Sequence, residues 1–164
     1  MEPKERGRYG RFEEITLLPI KNDLNAEILS VPTMDKIFLL ENEMKKLEQI
    51  EITPVHYFAN GLYAREIFIP KGVLLTGKIH KTEHLNILSK GDITVWTEDG
   101  MKRLQAPFTM VSRPGTKRVG LAHEDTVWTT IHATNETDLE KLELELIEET
   151  EIFLERNKEK LCLG

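Results

Sequence analysis

Between Val55 and Ala133 the chain is a succession of short β-rich runs, each closed by a turn signal. No other feature narrows its fold as far. Val55–Phe58 ends at Asn60-Gly61, and Leu62–Ile69 ends at Pro70-Lys71-Gly72. Val73–His80 and His84–Ser89 follow, the latter closed by Lys90-Gly91. Asp92–Thr97 ends at Asp99-Gly100, and Met101–Gln105 leads to Phe108–Ser112 and Pro114-Gly115. Arg118–His123 and Thr126–Ala133 complete the series. Eight or nine strands with turns every 8–12 residues predict an antiparallel sandwich or barrel. Glu98-Asp99-Gly100 is the strongest hairpin signal among them.

The flanks follow a different period. Residues 1–32 are mixed, with an apolar patch at Ile15 to Ile20 broken by Pro19, and read as an arm. A helix is expected from Thr33, which can cap it, with Asp35 favouring its positive end. Met34, Ile37, Leu40, Met44 and Leu47 then recur at helical spacing, which predicts one face packed on the domain or on a second subunit. On the far side, Thr137-Asp138-Leu139-Glu140 has the letters of a capping box, so a helix should start there. Leu142, Leu144 and Leu146 alternate, which leaves room for a strand by Glu145, and residues 151–161 read as a short polar helix. The organisation expected is an arm and helix over 1–54, a β-barrel over 55–133 and an acidic extension over 134–164, within a single domain. A core that small leaves apolar faces of both extensions to be covered, so a homo-oligomer, a dimer or a tetramer, is expected.

Charge sorts the function classes. The formal net charge is −6, and the segment from Thr137 onward carries −5 of it, with nine acids and four bases. A body this close to neutral lacks the basic face of a general nucleic-acid binder. No apolar run reaches the length of a membrane span, and MEPKERGRYGRFEE contains no secretory apolar core. Cys162 is the one cysteine, which points to a reducing cytoplasm.

Two motifs carry chemistry. His80-Lys81-Thr82-Glu83-His84 has the letters of the inverted zinc-protease signature. That chemistry needs both histidines on one helix face, and the flanks here read as strands. The second motif runs Gly72, five residues, Lys78, one residue, His80, three residues, His84, six residues, Gly91. Its spacing resembles the first cupin motif, with Lys78 at a histidine position and His84 at the glutamate position. Arg113-Pro114-Gly115-Thr116-Lys117-Arg118 resembles the second cupin motif, with Arg118 at its histidine and the proline displaced by one. The resemblance spans roughly residues 55–133. It implies a cupin-like antiparallel β-barrel, the double-stranded β-helix, with helical extensions at both ends and the site in the barrel mouth.

The substitutions at those positions direct the functional expectation. Lysine and arginine have no lone pair for a metal and repel a dication, but both bind phosphate and carboxylate. The expected site is therefore an anion pocket of Lys78, His80, His84 and Arg118, with Lys117 and Arg65 at the rim and Tyr63 and Trp128 for stacking. The same cations can instead pair with Glu66, Glu83, Glu124 or Asp125 in a structural network. No cofactor is expected. The alternative is one divalent transition metal on His80, His84 and His132.

The function expected is non-catalytic capture of a small anionic ligand, with a nucleotide favoured. A metal-dependent enzyme, a metal-free sugar-modifying enzyme and an interaction protein with a vestigial pocket remain alternatives. Gly61 to Glu66 and Val127 to His132 also look like small cupin-like proteins common in tailed-phage genomes. Some phage proteins of this size sequester cyclic nucleotide signals of bacterial immunity, which that resemblance offers as a role.

Overall fold

The computed structural model describes residues 18–19, 34–97 and 99–161. Thr33, Glu98, Cys162 and most of the N-terminal arm, with the expectations attached to them, lie outside the described residues. The elements in chain order are β1 (Leu18–Pro19), α1 (Met34–Met44), β2 (Val55–Ala59), β3 (Leu62–Ile69), β4 (Val73–Thr76) and β5 (Ile79–His80). Next come β6 (His84–Lys90), β7 (Asp92–Thr97), β8 (Gly100–Gln105), β9 (Phe108–Ser112), β10 (Val119–Ala122) and β11 (Thr126–Ala133). The chain ends with α2 (Leu139–Leu146), β12 (Ile147–Glu148) and α3 (Thr150–Leu161).

The strands form two five-stranded antiparallel sheets, ordered β1-β4-β10-β7-β8 and β2-β3-β11-β6-β9. Taking β3, β4 and β6–β11 as eight strands, the first pairs with the last, the second with the seventh, and so on inward. That is the double-sheet jelly roll, and it hides most strand edges by winding a hairpin back over itself. The turns are built where the sequence places them: Gly61, Gly72, Gly91 and Gly100 all have positive φ. Gly91, at +98°, admits nothing larger, because a Cβ there would lie 2.4 Å from Thr126 Oγ1 and 2.6 Å from the Asp125 carbonyl oxygen.

Three expectations are corrected. The run Val73–His80 is two strands, because the chain leaves the sheet at Gly77, whose N–H donates to the Arg118 carbonyl. β5 then pairs with β12 of the C-terminal extension rather than with the main sheets. The cap of α2 is Asp138, not Thr137; its Oδ1 accepts from the N–H groups of Glu140 and Lys141. The leucines that alternate in sequence lie on a helix through Leu146, with Leu142 and Leu146 buried one turn apart and Leu144 exposed.

The core lies between the sheets, where Ile67, Ile69 and Leu88 of one sheet meet Val73, Ile93, Val95 and Leu104 of the other. The outer face of the β4-β10-β7 sheet is covered by α1, whose Ile37 and Met44 pack on Leu74, Trp96 and Val119. This is why β7 is buried on both faces from Asp92 to Trp96. The other sheet turns an apolar row outward: Val111, Leu85, Ile131, Ala64 and Tyr57 sit in register across all five strands.

One buried ion pair joins α1 to this frame. Lys117 Nζ lies 2.8 Å from Glu41 Oε2, both side chains are 1% exposed, and Thr76 Oγ1 donates to the same carboxylate at 3.2 Å. Burial pushes the Lys117 amine below its ordinary range, while Glu41 opposes that shift. Breaking such a pair leaves a buried charge uncompensated. Glu41→Ala should therefore cost about 3–5 kcal/mol. The double replacement Glu41→Met with Lys117→Met should restore most of that loss. Urea unfolding of the three proteins measures it, and a double variant as weak as Glu41→Ala would contradict the assignment.

Candidate functional site

Alternation along the strands sorts the inner face of the second sheet into layers of decreasing polarity. Tyr63, Arg65, Ile67 and Ile69 point inward from β3, and Thr126, Trp128, Thr130 and His132 from β11. His84, Asn86 and Leu88 do so from β6. The registers place His132 beside Tyr63, Thr130 beside Arg65 and Asn86, and Trp128 beside Ile67 and Leu88. The mouth of the jelly roll is thus histidine-rich, the next layer carries an arginine and an amide, and the floor is apolar.

Three histidines meet at the mouth. One ring nitrogen from each of His80, His84 and His132 lies within 4.8 Å of the others. Their ring centroids are 4.2, 4.9 and 4.7 Å apart for the pairs 80–84, 80–132 and 84–132. His80 is brought there by β5, which β12 holds from outside through the pairing of Ile147 with His80. His84 Nδ1 donates to the Thr82 carbonyl at 3.0 Å, which leaves Nε2 as the lone-pair nitrogen of the neutral ring. That Nε2, with Nδ1 of His80 and Nδ1 of His132, is buried and has no hydrogen-bond partner.

The field around the cluster keeps it neutral. Burial, then the neighbouring His84 and His132 and the charges of Arg118 and Arg65, hold the His80 pKa well below the usual imidazole range. Burial, with His84 and Arg65, lowers His132 to about 4. His84 is lowered chiefly by burial, against the bond to Thr82. Neutral rings with an unshared pair are the form that binds a metal.

A narrow cavity of about 80 Å³ runs inward from His80, past Arg65, Lys78 and Arg118, to Ile67, Ile93, Val95 and Trp128. Trp128 Nε1 donates to Asn86 Oδ1 at 3.0 Å, and Asn86 and Arg118 both donate to Ser112 Oγ. The structure therefore brings together seven of the eight residues expected at the anion pocket on the cavity wall or its mouth: Lys78, His80, His84, Arg118, Arg65, Trp128 and Tyr63. Tyr63 lines the outer side of the mouth with Arg65, His80 and His132, where it is 2% exposed and hydrogen-bonded to His56 Nδ1 at 2.7 Å. Lys117 is the exception: it does not reach the rim, because its ammonium is held under α1 by Glu41.

Lys78 pairs with Glu143 of α2, not with Glu66, Glu83, Glu124 or Asp125. Glu66 instead accepts from Tyr57 and Thr129, and Asp125 from the Lys71 N–H. Asn86 was missed in the sequence, although its place two residues after His84 in a strand puts both on one face. Glu143 could not be found, since nothing local ties it to a lysine 65 positions away.

No protein-family model matches the sequence, and no curated protein matches it. Among solved structures, KdgF from Halomonas sp. is similar with a TM-score of 0.47 and 16% identity over 56% of this chain and 88% of that one. A cupin-2 domain protein from Shewanella frigidimarina gives 0.44 and 16%, over 62% and 100%. An acetylacetone dioxygenase from Acinetobacter johnsonii gives 0.42 and 17%, over 50% and 59%. The strand order itself is that of the double-sheet jelly roll, an architecture that cupins share with other families. No described helix is long and apolar enough to cross a membrane.

The neutral histidines make stability depend on pH with a definite sign. The unfolded chain protonates them near pH 6.5, whereas the folded chain resists until lower pH, about 4 at His132. The unfolded state thus binds more protons in that window, and stability falls as pH falls through it. Asp92, held at about 2 by hydrogen bonds from Arg103 and Gln105, adds its own loss only below about pH 4. Urea midpoints should decline from pH 7 to pH 4.5, and His132→Gln should flatten the decline. An unchanged slope in that variant would contradict a neutral buried His132.

Proposed function

We propose that the chain holds a divalent first-row transition metal on His80, His84 and His132 and uses that centre to bind a small organic anion. The observation that carries this reading is the trio of buried, partnerless nitrogens, with the His84 tautomer fixed by Thr82. A buried polar atom without a partner is costly, and a shared cation satisfies three at once. Metal–nitrogen bonds of about 2.0–2.1 Å need ligand nitrogens about 3–3.4 Å apart, within reach of small rotations from the present spacing. Bound there, the metal would act as a Lewis acid toward an oxygen of the ligand.

Arg65 and Arg118 support an anionic ligand, as the sequence suggested, because both guanidinium groups line the cavity next to His80. The narrowness of that cavity favours a ligand smaller than a nucleotide, whose sites are typically several hundred Å³. Capture rather than turnover is the simpler use of such a site. One observation favours a catalytic use: the hydrogen-bonded pair of Tyr63 and half-buried His56, stacked beside His132, is placed to move a proton between the mouth and solvent.

Calorimetric titration with zinc or cobalt should give one ion per chain. His84→Ala and His132→Ala should each weaken binding by more than the roughly 10–100-fold seen when only a hydrogen-bonded support of a ligand is lost. Binding that persists unchanged in both variants would overturn the three-histidine centre.

A further inference from the structure

The histidine mouth is closed from outside by the C-terminal extension. A cavity of about 20 Å³ lies over His80 and His132, and Leu146 and Ile147 form its outer wall. Beneath them the three ring nitrogens are buried. The closing segment, α2 with β12, is tied to the barrel at few points. β12 pairs with β5 over two residues, and the Leu146 carbonyl accepts from the Lys81 N–H at 2.8 Å. Lys81 Nζ donates to the Leu144 carbonyl at 2.7 Å, Glu143 meets Lys78, and Leu142 and Leu146 pack on Tyr63. In the barrel, by contrast, β11 pairs with β3 over eight residues. Both ends of the segment are held independently of it. Upstream, the Thr134 N–H donates to the Gly61 carbonyl at 3.1 Å, and residues 134–138 form no helix or strand. Downstream, α3 is anchored by Phe153, buried with Phe38 and Ile79. A groove of about 920 Å³ separates α2 from α3, with Leu139, Glu140, Leu144, Glu149 and Ile152 on its walls.

We propose that α2 and β12 form a strap that opens between Thr134 and α3, uncovers the histidines while the jelly roll stays folded, and so gates entry to the cavity. The inference goes beyond the metal reading and holds for any ligand that enters by the mouth. A segment with a short ladder and few buried contacts opens at lower free energy than the strands of a core. The groove beside α3 gives α2 room to swing outward without displacing another packed layer. That movement lifts Leu146 and Ile147 off His80 and His132. His80 does not leave with the strap, because the Gly115 N–H donates to its carbonyl at 2.9 Å. Opening therefore exposes the three rings without scattering them. The pair of Lys78 and Glu143 is the charged part of the latch, and its side chains are 16% and 30% exposed. A pair so open to water contributes modestly, which suits a strap that must release.

The test is amide hydrogen exchange of the full chain without added metal, at urea concentrations below unfolding. Two amides report the strap: Lys81, bonded to the Leu146 carbonyl, and Leu142, bonded to the Asp138 carbonyl. Both should exchange faster than the amides of β11, through an opening that depends less on urea. Glu143→Gln should speed both by roughly two- to fivefold and leave β11 unchanged. Lys81→Met, which removes a second tie at an exposed side chain, should speed Leu142 exchange in the same way. Diethyl pyrocarbonate, which acylates accessible neutral imidazole, reads the mouth itself. His132 should react at a rate that rises in Glu143→Gln by the factor seen in exchange. His123, hydrogen-bonded to Thr94 outside the mouth, should react at an unchanged rate. Exchange of Lys81 and Leu142 only at the rate and urea dependence of β11 overturns the strap. Faster exchange in Glu143→Gln with unchanged reaction of His132 overturns the gate, since the mouth is then reached by another route. Zinc titration is a separate measurement, so a failed metal centre and a failed strap are told apart.

Discussion

The register of β11 between β3 and β6 fixes the depth of every side chain that these three strands send into the pocket. β11 is hydrogen-bonded along its length to β3 and, through a bulge at Val127/Trp128, to β6. Since successive side chains face opposite ways, a slip of one residue would turn His132, Thr130 and Trp128 outward and bring Ile131 and Val127 in. The apolar floor resists that slip. Trp128 packs against the core cluster, and Thr126 is fully buried under Gly91, whose missing side chain makes the space. The histidine at the mouth is held at its height by hydrophobic packing several residues deeper on the same strand.

The frame of the first motif was legible because it is a frame of turns rather than of ligands. Gly72 and Gly91 have positive φ at the two ends of the motif, and the chain between them must cover a fixed path whatever stands at the ligand positions. The spacing therefore identified the jelly roll even though Lys78 and Arg118 stand at two positions where the resembled family has histidine. The strand series was legible for the same reason. Alternation in β3, β6 and β11 and glycine at the turns are local properties.

What the sequence did not reveal depends on contacts between distant segments. Lys117 looked like a rim cation because it adjoins Arg118, but the partner that removes it from the rim is Glu41, on a helix 76 positions earlier. Lys78 is likewise answered by Glu143, on a helix that only the closing pair β5–β12 brings to the mouth. Neither acid stood out, since α1 read as an ordinary helix with one packed face and the segment after Thr137 as a helix start running into alternating leucines. Residues 151–161 were expected as a short polar helix, yet Phe153 of α3 is buried with Phe38 and Ile79, so this helix helps to anchor the cover that holds β5.

The two lysine pairings also explain how a pocket with so many cations can keep three neutral histidines together. A mouth that also carried the unanswered charges of Lys78 and Lys117 would repel any further cation strongly at these separations. Moving Lys117 under α1 and tying Lys78 to α2 leaves the arginines as the basic groups beside the rings. Arginine suits that role better than lysine, because its planar fork can hold one carboxylate in a fixed orientation while its charge stays delocalised. In this chain His84 stands at the resembled family's glutamate position. A neutral ring at that position leaves the balance of charge at the mouth to the pairings of Lys78 and Lys117 with acids of the two helices.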